Sequence, residues 1–331
     1  MKNKTKVVII MFFLSVIFLY NGYCNFELPV TVKVMNGDDE TVKNARVQAG
    51  FDTSDIVSKK GVQKVATTDR EGMVSFSCYT SGHIGVSVEK NAYYRSWVSM
   101  NFFKNPDEDF IRPYNPSEKP IVITMRKRIN PIPMHAKKVE TKIPKSDVEY
   151  GYDLMVGDWV TPLGKGETKD LIFKTEGYWN GRYDNYSELT LTFSNESDGL
   201  IAFEADPMYG SRLRSSNMAP SEGYKNQRVW IQMRKPADEG KTGNDLVRRD
   251  YDKRSNYYLR VRSKTDKNGR ITSALYGKIY GDIKYGGASE DGCFLIFKYY
   301  LNPNANDGNV EFDPEKNLFE DLKPLEQVDE P

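Results

Sequence analysis

The chain has 331 residues, with 47 Lys and Arg against 46 Asp and Glu, so its net charge is +1. This balance excludes the strong positive field of proteins that bind nucleic acid mainly through charge. Two histidines and three cysteines in the whole chain exclude a histidine cluster for zinc and a dense disulfide framework.

The first residues have the pattern of an export signal. Three lysines precede an uncharged apolar run from Val7 to Tyr20, which is shorter than the roughly 20 apolar residues of a membrane-spanning helix. We therefore predict a signal peptide over residues 1–24, cleavage after Cys24, and no transmembrane segment in the mature chain. The alternative is a lipid anchor on Cys24, as in bacterial lipoproteins. Either way the protein is expected to be secreted, periplasmic or associated with the cell envelope.

Residues 25–127 alternate apolar and polar side chains in short runs. Alternation with a period of two is typical of half-buried strands, and no run in this part shows a helical period. About six or seven such strands predict a single β-sandwich. The alternating runs are Val30–Val34, Ala45–Phe51, Val74–Cys78, Ile84–Val88 and Ile121–Met125.

The sequence T-T-D-R-E-G-M-V-S-F, from Thr67 to Phe76, joins two of these strands. Its polar residues and glycine are typical of a tight turn. We predict a hairpin here, and we interpret Asp69 and Glu71 as turn residues before considering them as ligands.

Three segments of this region resemble a known family. The second strand K-N-A-R-V, the turn T-T-D-R-E-G-M-V-S-F and the strand V-S-V-E-K-N-A-Y-Y are together similar to the carboxypeptidase regulatory-like, or transthyretin-like, domain. The resemblance covers about residues 27–127 and implies a prealbumin-type sandwich, a non-catalytic module appended to another domain. Ala92 departs from the family pattern, which often has glycine before the tyrosine.

The remaining sequence predicts a linker, a second domain and a tail. Residues 128–145 are basic and contain three prolines, which favours a connector without regular structure. Residues 146–320 are again rich in alternating strands, so we predict an all-β chain whose second domain is a larger β-sandwich or jelly roll. The acidic residues 321–331 are predicted to be a frayed tail.

The clearest element of the second domain is a hairpin between Tyr257 and Tyr285. Its apolar residues occupy odd positions on both arms, so the loop must hold an odd number of residues. We predict the three-residue loop 267–269, with Gly269 at a positive φ angle. The predicted register pairs Arg260 with Tyr276 and Tyr258 with Lys278.

The best candidate site is the aromatic segment Y-W-N-G-R-Y-D-N-Y, predicted to be a surface loop before the strand at Glu188. Flat rings and nearby polar groups resemble the aromatic platforms of carbohydrate-binding modules. In the alternative interpretation Trp179 and Tyr183 pack into the core. The candidate ligand-binding residues are Tyr178, Trp179, Asn180, Arg182, Tyr183, Asp184 and Tyr186.

No motif for a reaction stands out. The sequence contains no G-x-S-x-G, no Gly-rich phosphate loop and no C-x-x-C, so we predict no catalytic residue, metal site or cofactor. The leading hypothesis is an exported, non-catalytic protein that binds a glycan or an envelope protein and no nucleic acid. The alternatives are a secreted polysaccharide-acting enzyme with carboxylates in the second domain, and a structural cell-surface spacer. The oligomeric state stays open.

Overall fold

The computed structural model describes residues 26–52, 61–101, 112–113, 120–236, 244–286 and 290–331. The regular secondary structure in these ranges consists of β-strands, which are arranged in four sheets. The prediction of an all-β fold is therefore confirmed. The predicted signal peptide and Cys24 lie outside the described residues. Within the described ranges, no helix has the length and apolar character to span a membrane.

The strands are numbered here in chain order. The first are β1 (Phe26–Asn36), β2 (Arg46–Phe51), β3 (Val62–Thr67), β4 (Met73–Thr80), β5 (His83–Glu89), β6 (Ser96–Asn101), β7 (Arg112–Pro113) and β8 (Ile121–Met125). They are followed by β9 (Ile132–Ile143), β10 (Tyr150–Asp153), β11 (Asp158–Trp159), β12 (Leu171–Gly181), β13 (Asp184–Thr192), β14 (Gly199–Glu204) and β15 (Gly210–Ser211). The last are β16 (Gln227–Pro236), β17 (Asn244–Arg249), β18 (Ser255–Thr265), β19 (Ile271–Ile279), β20 (Lys284–Tyr285), β21 (Cys293–Leu301) and β22 (Phe312–Asn317).

One compact unit holds the described residues up to Lys127 together with Met208–Ser211. Its two sheets have the strand orders β4-β1-β8 and β15-β6-β5-β2-β3, with β7 beside β6. Residues such as Val32 on the first sheet and Val47 and Val88 on the second are completely buried in one common core. The alternating runs of the sequence therefore form the two inner faces of a β-sandwich.

The turn after β3 differs from the predicted hairpin. β3 pairs with β2, whereas β4 pairs with β1, so the turn carries the chain from one sheet to the other. Asp69 accepts hydrogen bonds from the backbone N–H groups of Glu71 and Met73, and Gly72 has a φ of 72°. The prediction of a tight turn is confirmed and the hairpin is wrong, because alternation within a strand does not reveal its pairing partner.

The second compact unit holds the described parts of residues 128–207 and 212–331. One sheet has the order β11-β10-β12-β13-β16-β17 and the other the order β14-β18-β19-β21-β9-β22, with β20 beside β21. Phe173 and Trp230 of the first sheet and Tyr299 of the second are buried in one core between the layers. A further cluster, which includes Met134 and Tyr300, buries the other face of the second sheet.

The predicted linker is wrong in structure. Residues 132–143 form β9, which pairs antiparallel with β21 from Cys293 to Leu301 and therefore lies inside a sheet. Met134, Ala136 and Ile143 are completely buried. The lysines between them mask this pattern in the sequence, and two of these side chains find carboxylate partners, Lys137 with Glu326 and Lys138 with Glu140.

The acidic end of the chain is also ordered rather than frayed. The Glu330 carboxylate lies 2.7 Å from the Arg214 guanidinium and pairs with Lys298. The backbone N–H of Lys138 donates to the carbonyl of Glu326 at 2.8 Å. Val328 is buried, so the tail packs through apolar and ionic contacts that its composition alone did not suggest.

The hairpin of β18 and β19 matches its predicted register. Arg260 pairs with Tyr276 and Tyr258 with Lys278. The backbone of Asp266 bonds to Arg270 around the three-residue loop, and Gly269 has a φ of 78°. Both the loop length and the glycine position are confirmed, because in this hairpin the pairing follows directly from local alternation.

Candidate functional site

The predicted aromatic loop is the tip of a long hairpin. β12 and β13 remain paired through Tyr178–Tyr186 and Trp179–Asn185 to Gly181–Asp184. Only Arg182 and Tyr183 form the turn between them. The prediction of a loop is therefore wrong. The polar and aromatic residues continue the alternation of the strands instead, and this alternation divides the candidate residues between two faces of the sheet.

One face carries a network of side-chain contacts. The rings of Tyr178 and Tyr186 stack with centroids 6.3 Å apart. The Tyr178 hydroxyl and the Asn180 amide both donate to the Asp184 carboxylate, at 3.2 Å and 2.9 Å. The Tyr186 hydroxyl donates to Glu188, and this hydrogen bond raises the pKa of Tyr186 to about 12. These polar groups form hydrogen bonds with each other, so the contacts on this face stabilise the hairpin.

The opposite face forms a groove at the end of the core. Trp179, Asn185, Arg234 and Val247 pair in one row across β12, β13, β16 and β17. The next row on the same face contains Ser187, Gln232 and Arg249. Both rows line a groove of about 210 Å³. Arg182 of the turn also borders the groove, as do Tyr178, Tyr186, Met233 and Arg248 of the intervening row, whose side chains belong to the other face.

The groove continues the core-facing side of the sheet past the last buried row. That row holds Leu189 and Trp230, both completely buried. Behind the groove lining, the Tyr285 hydroxyl donates to the carbonyls of Ser187 and Trp230, both at 2.9 Å, and the Tyr285 carbonyl accepts from the Gln232 amide. Beyond this point the sheet face opens to solvent.

Two aromatic rings at this end are exposed. Trp179 is 61% exposed although it occupies a core-facing position of β12, and Tyr183 at the turn is 49% exposed. The Arg182 guanidinium lies 5.6 Å from the centre of the Tyr183 ring. The interpretation that both rings pack into the core is therefore wrong, and the indole presents a flat apolar surface at the mouth of the groove.

The groove lining is cationic. It includes Arg182, Arg234, Arg248 and Arg249, and among the described lining residues there is no carboxylate. Arg248 is neutralised by Asp250, which accepts two hydrogen bonds of 2.8 Å from it. These bonds hold the pKa of Asp250 below its usual value. The other arginines of the lining have no such carboxylate in the part of the chain that the structure describes.

Sequence reasoning missed the half of the groove that β16 and β17 provide. Arg234 and Arg249 come from a charge-rich segment that lies far from Trp179 in the chain. The pairing of β13 with β16 brings them to the same face. The one signal in the sequence is the alternation around Trp230, which places Gln232 and Arg234 on the side of the buried tryptophan.

Buried carboxylates of the same unit form a separate cluster. Arg262 donates two hydrogen bonds of 2.8 Å to Asp170 and one of 2.8 Å to Asp153. Burial raises the pKa of Asp170 in spite of this partner. Although burial opposes the shift, backbone N–H donors and Arg262 lower the pKa of Asp153. Both carboxylates therefore already accept hydrogen bonds from Arg262.

A third internal carboxylate, Asp282, is equally well bonded. It accepts from the Trp230 indole at 2.8 Å and from the Tyr257 hydroxyl at 2.6 Å. The backbone N–H groups of Asp252 and Ile283 donate to the same side chain at 2.9 Å and 3.0 Å. Burial raises its pKa in spite of these donors. Its environment is that of a structural polar group in the core.

No known protein-family model matches the chain. No curated protein sequence is significantly similar to it. The geometry of the groove is therefore the basis on which a function is proposed.

Proposed function

We propose that this protein is an exported, non-catalytic β-sandwich protein that binds a glycan in the groove beside Trp179. The observation that carries the proposal is the exposed indole on a core-facing strand position. Leaving a tryptophan there forfeits the burial that its large apolar surface normally gains in the core. A sugar ring that stacks on the indole would cover the same surface.

Polar groups beside the indole suit a sugar ligand. Asn185 lies in the same row as Trp179, and Ser187 and Gln232 lie in the row below. An apolar platform with a few convergent donors and acceptors is the general composition of a small-molecule site. The amide of Asn185 also donates to the carbonyls of Gly181 and Arg182, at 2.9 Å and 3.2 Å, so the turn that carries Tyr183 is held in place.

The contacts of the acidic residues support a binding role over a catalytic one. Asp184 and Glu188 are on the opposite face and accept hydrogen bonds from hairpin side chains. Asp250 is engaged by Arg248. A glycosidase needs two carboxyl groups that face the scissile bond from either side, and these three carboxylates have other partners.

Two features of the sequence extend the proposal beyond the groove. The lysines and apolar run before residue 24 favour export, and the first unit is proposed to be a carboxypeptidase regulatory-like module. Mass spectrometry of the mature N-terminus tests export. We expect a mature chain that begins at Asn25. A mature chain that begins at a lipid-modified Cys24 would instead show that the protein is anchored to a membrane.

A glycan array with the purified mature protein tests the binding function. Trp179→Ala is expected to weaken binding about tenfold or more, since aromatic stacking and lost apolar contact both disappear. Tyr79 is a matched control, because it is also a largely exposed aromatic residue, at 59%, but lies on β4 of the other unit. Tyr79→Ala is expected to bind as the wild type does.

Three outcomes would contradict this function. The first is an array without any bound glycan. The second is equal binding by the wild type and Trp179→Ala. The third is turnover of a polysaccharide by the purified protein, which would replace a binding protein by an enzyme.

A further inference from the structure

The groove face carries two arginines in a defined arrangement. Arg234 pairs with Val247 across β16 and β17, and Arg249 lies two residues further along the second strand. Residues in this diagonal relation lie on the same face, with Cα atoms about 7–8 Å apart. Arg234 also shares its row with Trp179. The two guanidinium groups and the indole therefore border one continuous surface.

These two arginines differ from the arginines of the same unit that form ion pairs. Five of them have a carboxylate oxygen within 3.3 Å of a guanidinium nitrogen: Arg212, Arg214, Arg248, Arg254 and Arg262. Within the described ranges, Arg234 and Arg249 have no hydrogen bond or ion pair to another side chain. Their donors are available to a ligand, and a planar guanidinium matches a carboxylate or sulfate group with two parallel hydrogen bonds.

We propose that the groove selects an anionic polysaccharide, with uronate or sulfate groups held by Arg234 and Arg249 while a sugar ring stacks on Trp179. This inference rests on the proposed glycan-binding function and specifies its ligand class. A neutral glycan would supply no partner for either guanidinium group. An anionic glycan supplies the negative charge that is absent from the described lining residues.

A single-stranded nucleic acid is the competing anionic ligand, since it too combines phosphates with stacking rings. Such sites present several aromatic side chains on which successive bases stack, together with a basic track along the backbone. Of the aromatic residues that border this groove, Tyr178 and Tyr186 stack with each other on the other face of the sheet. Among the described residues, Trp179 is the aromatic residue that shares a row with Arg234. The side chains of Asn185 and Gln232 beside the indole suit sugar hydroxyl groups, so the arrangement favours a polysaccharide.

Matched pairs of polymers test the charge preference with the mature protein. Polygalacturonate and its methyl ester share a backbone and differ in charge, as do dextran sulfate and dextran. In titration calorimetry or affinity electrophoresis we expect an anionic member to bind at least about tenfold more tightly than its neutral counterpart. This preference is expected to fall as salt is added, since the arginines are partly exposed. Oligothymidylate serves as the nucleic-acid probe.

Substitution of the arginines locates the effect. Arg234→Gln and Arg249→Gln are each expected to weaken binding of the anionic polymer roughly tenfold, and to weaken it by a larger factor than binding of the neutral counterpart. Arg270→Gln removes the same charge from the exposed loop of the β18–β19 hairpin and is expected to change neither. The salt dependence of the wild type provides a second readout that needs no variant.

The outcomes separate this inference from the function on which it rests. Equal binding of charged and neutral polymers, or unchanged binding by both groove variants, would overturn the anionic preference while glycan binding stands. Tighter binding of oligothymidylate than of every polysaccharide would also overturn it, in favour of a nucleic acid. If neither the polymers nor the array glycans bind, both the inference and the proposed function fall.

Discussion

Two arginine environments within one β-sandwich unit show how differently the same residue type is used. Arg262 is held by Asp170 and Asp153 through three hydrogen bonds of 2.8 Å. Arg234 and Arg249 lie on the groove face, where the described residues offer them no carboxylate. The first environment fixes the fold and the second is available for a ligand. The two environments differ in the contacts of the guanidinium group and not in its charge.

The backbone at Arg262 supports the structural role. Two residues of β18, Arg262 and Ser263, lie opposite one residue of β19 at this point, which forms a β-bulge. Arg262 has a φ of 55°, in the left-handed region that is unfavourable for a residue with a side chain. The bulge turns the guanidinium toward the two buried aspartates. We infer that these ion pairs stabilise a conformation that the strand would otherwise avoid.

The largest expected effect is the loss of the Arg262 cluster. Arg262→Met would leave Asp170 and Asp153 buried without their cation, which typically costs about 3–5 kcal/mol. Because the Arg262 side chain is itself 26% exposed, we expect the lower end of this range. Equilibrium unfolding in denaturant would measure the change. A loss below about 1 kcal/mol would show that the cluster is no more important than an exposed ion pair.

Removing the Asp282 carboxylate should have the next largest effect. Asp282→Ala leaves the Trp230 indole N–H and the Tyr257 hydroxyl buried without an acceptor. Unpaired buried donors cost about 1–3 kcal/mol. The same unfolding experiment, monitored by tryptophan fluorescence, is expected to show a lower midpoint of unfolding for Asp282→Ala than for the wild type. An unchanged midpoint would mean that water or a shifted side chain replaces the carboxylate.

The Glu330 contacts predict a pH-dependent effect of moderate size. Although burial opposes it, the charges of Lys298 and Arg214 hold the pKa of Glu330 below its usual 4.5. The stability that they provide is therefore present above about pH 4.5 and lost as the pH falls through the lower folded-state pKa. The difference in unfolding free energy between the wild type and Glu330→Gln should shrink between about pH 6 and about pH 3. A constant difference over this range would contradict the assignment.

The smallest expected effect on stability is at the groove. Arg234→Gln removes no ion pair of the described chain, so the free energy of unfolding is expected to change by no more than about 0.5 kcal/mol. This variant is the direct counterpart of Arg262→Met in the same unfolding experiment. A loss comparable to that of Arg262→Met would show that Arg234 stabilises the sheet, and the distinction between the two environments would fail.

Local patterning predicted the strands and the aromatic end of the site. Alternation identified the inner face of the first unit at Val32 and Val47, and the register of the β18–β19 hairpin followed from the same rule. The composition of the segment around Trp179 marked it as a candidate site but left open whether its rings are exposed or packed into the core. In each case the necessary information lies within one strand or one hairpin.

The parts that could not be predicted depend on pairing between distant segments. β9 looks like a linker because lysines separate Met134, Ala136 and Ile143, and only its partner β21 makes it a central strand. The groove needs β13 beside β16, which brings Arg234 to the face of Trp179. The periodicity within one strand does not reveal which distant strand pairs with it. The cationic half of the site therefore became visible only when the sheet order was known.

Hydrogen–deuterium exchange with and without an anionic polysaccharide tests the central claim most directly, namely that the groove is the binding site. With polygalacturonate present, we expect slower exchange in peptides that cover residues 178–187 and 228–236. The Arg262 cluster, covered by peptides from 150–160 and 255–265, should exchange at the same rate in both conditions. Protection confined to the cluster or to the first unit, with none at the hairpin tip, would contradict the account.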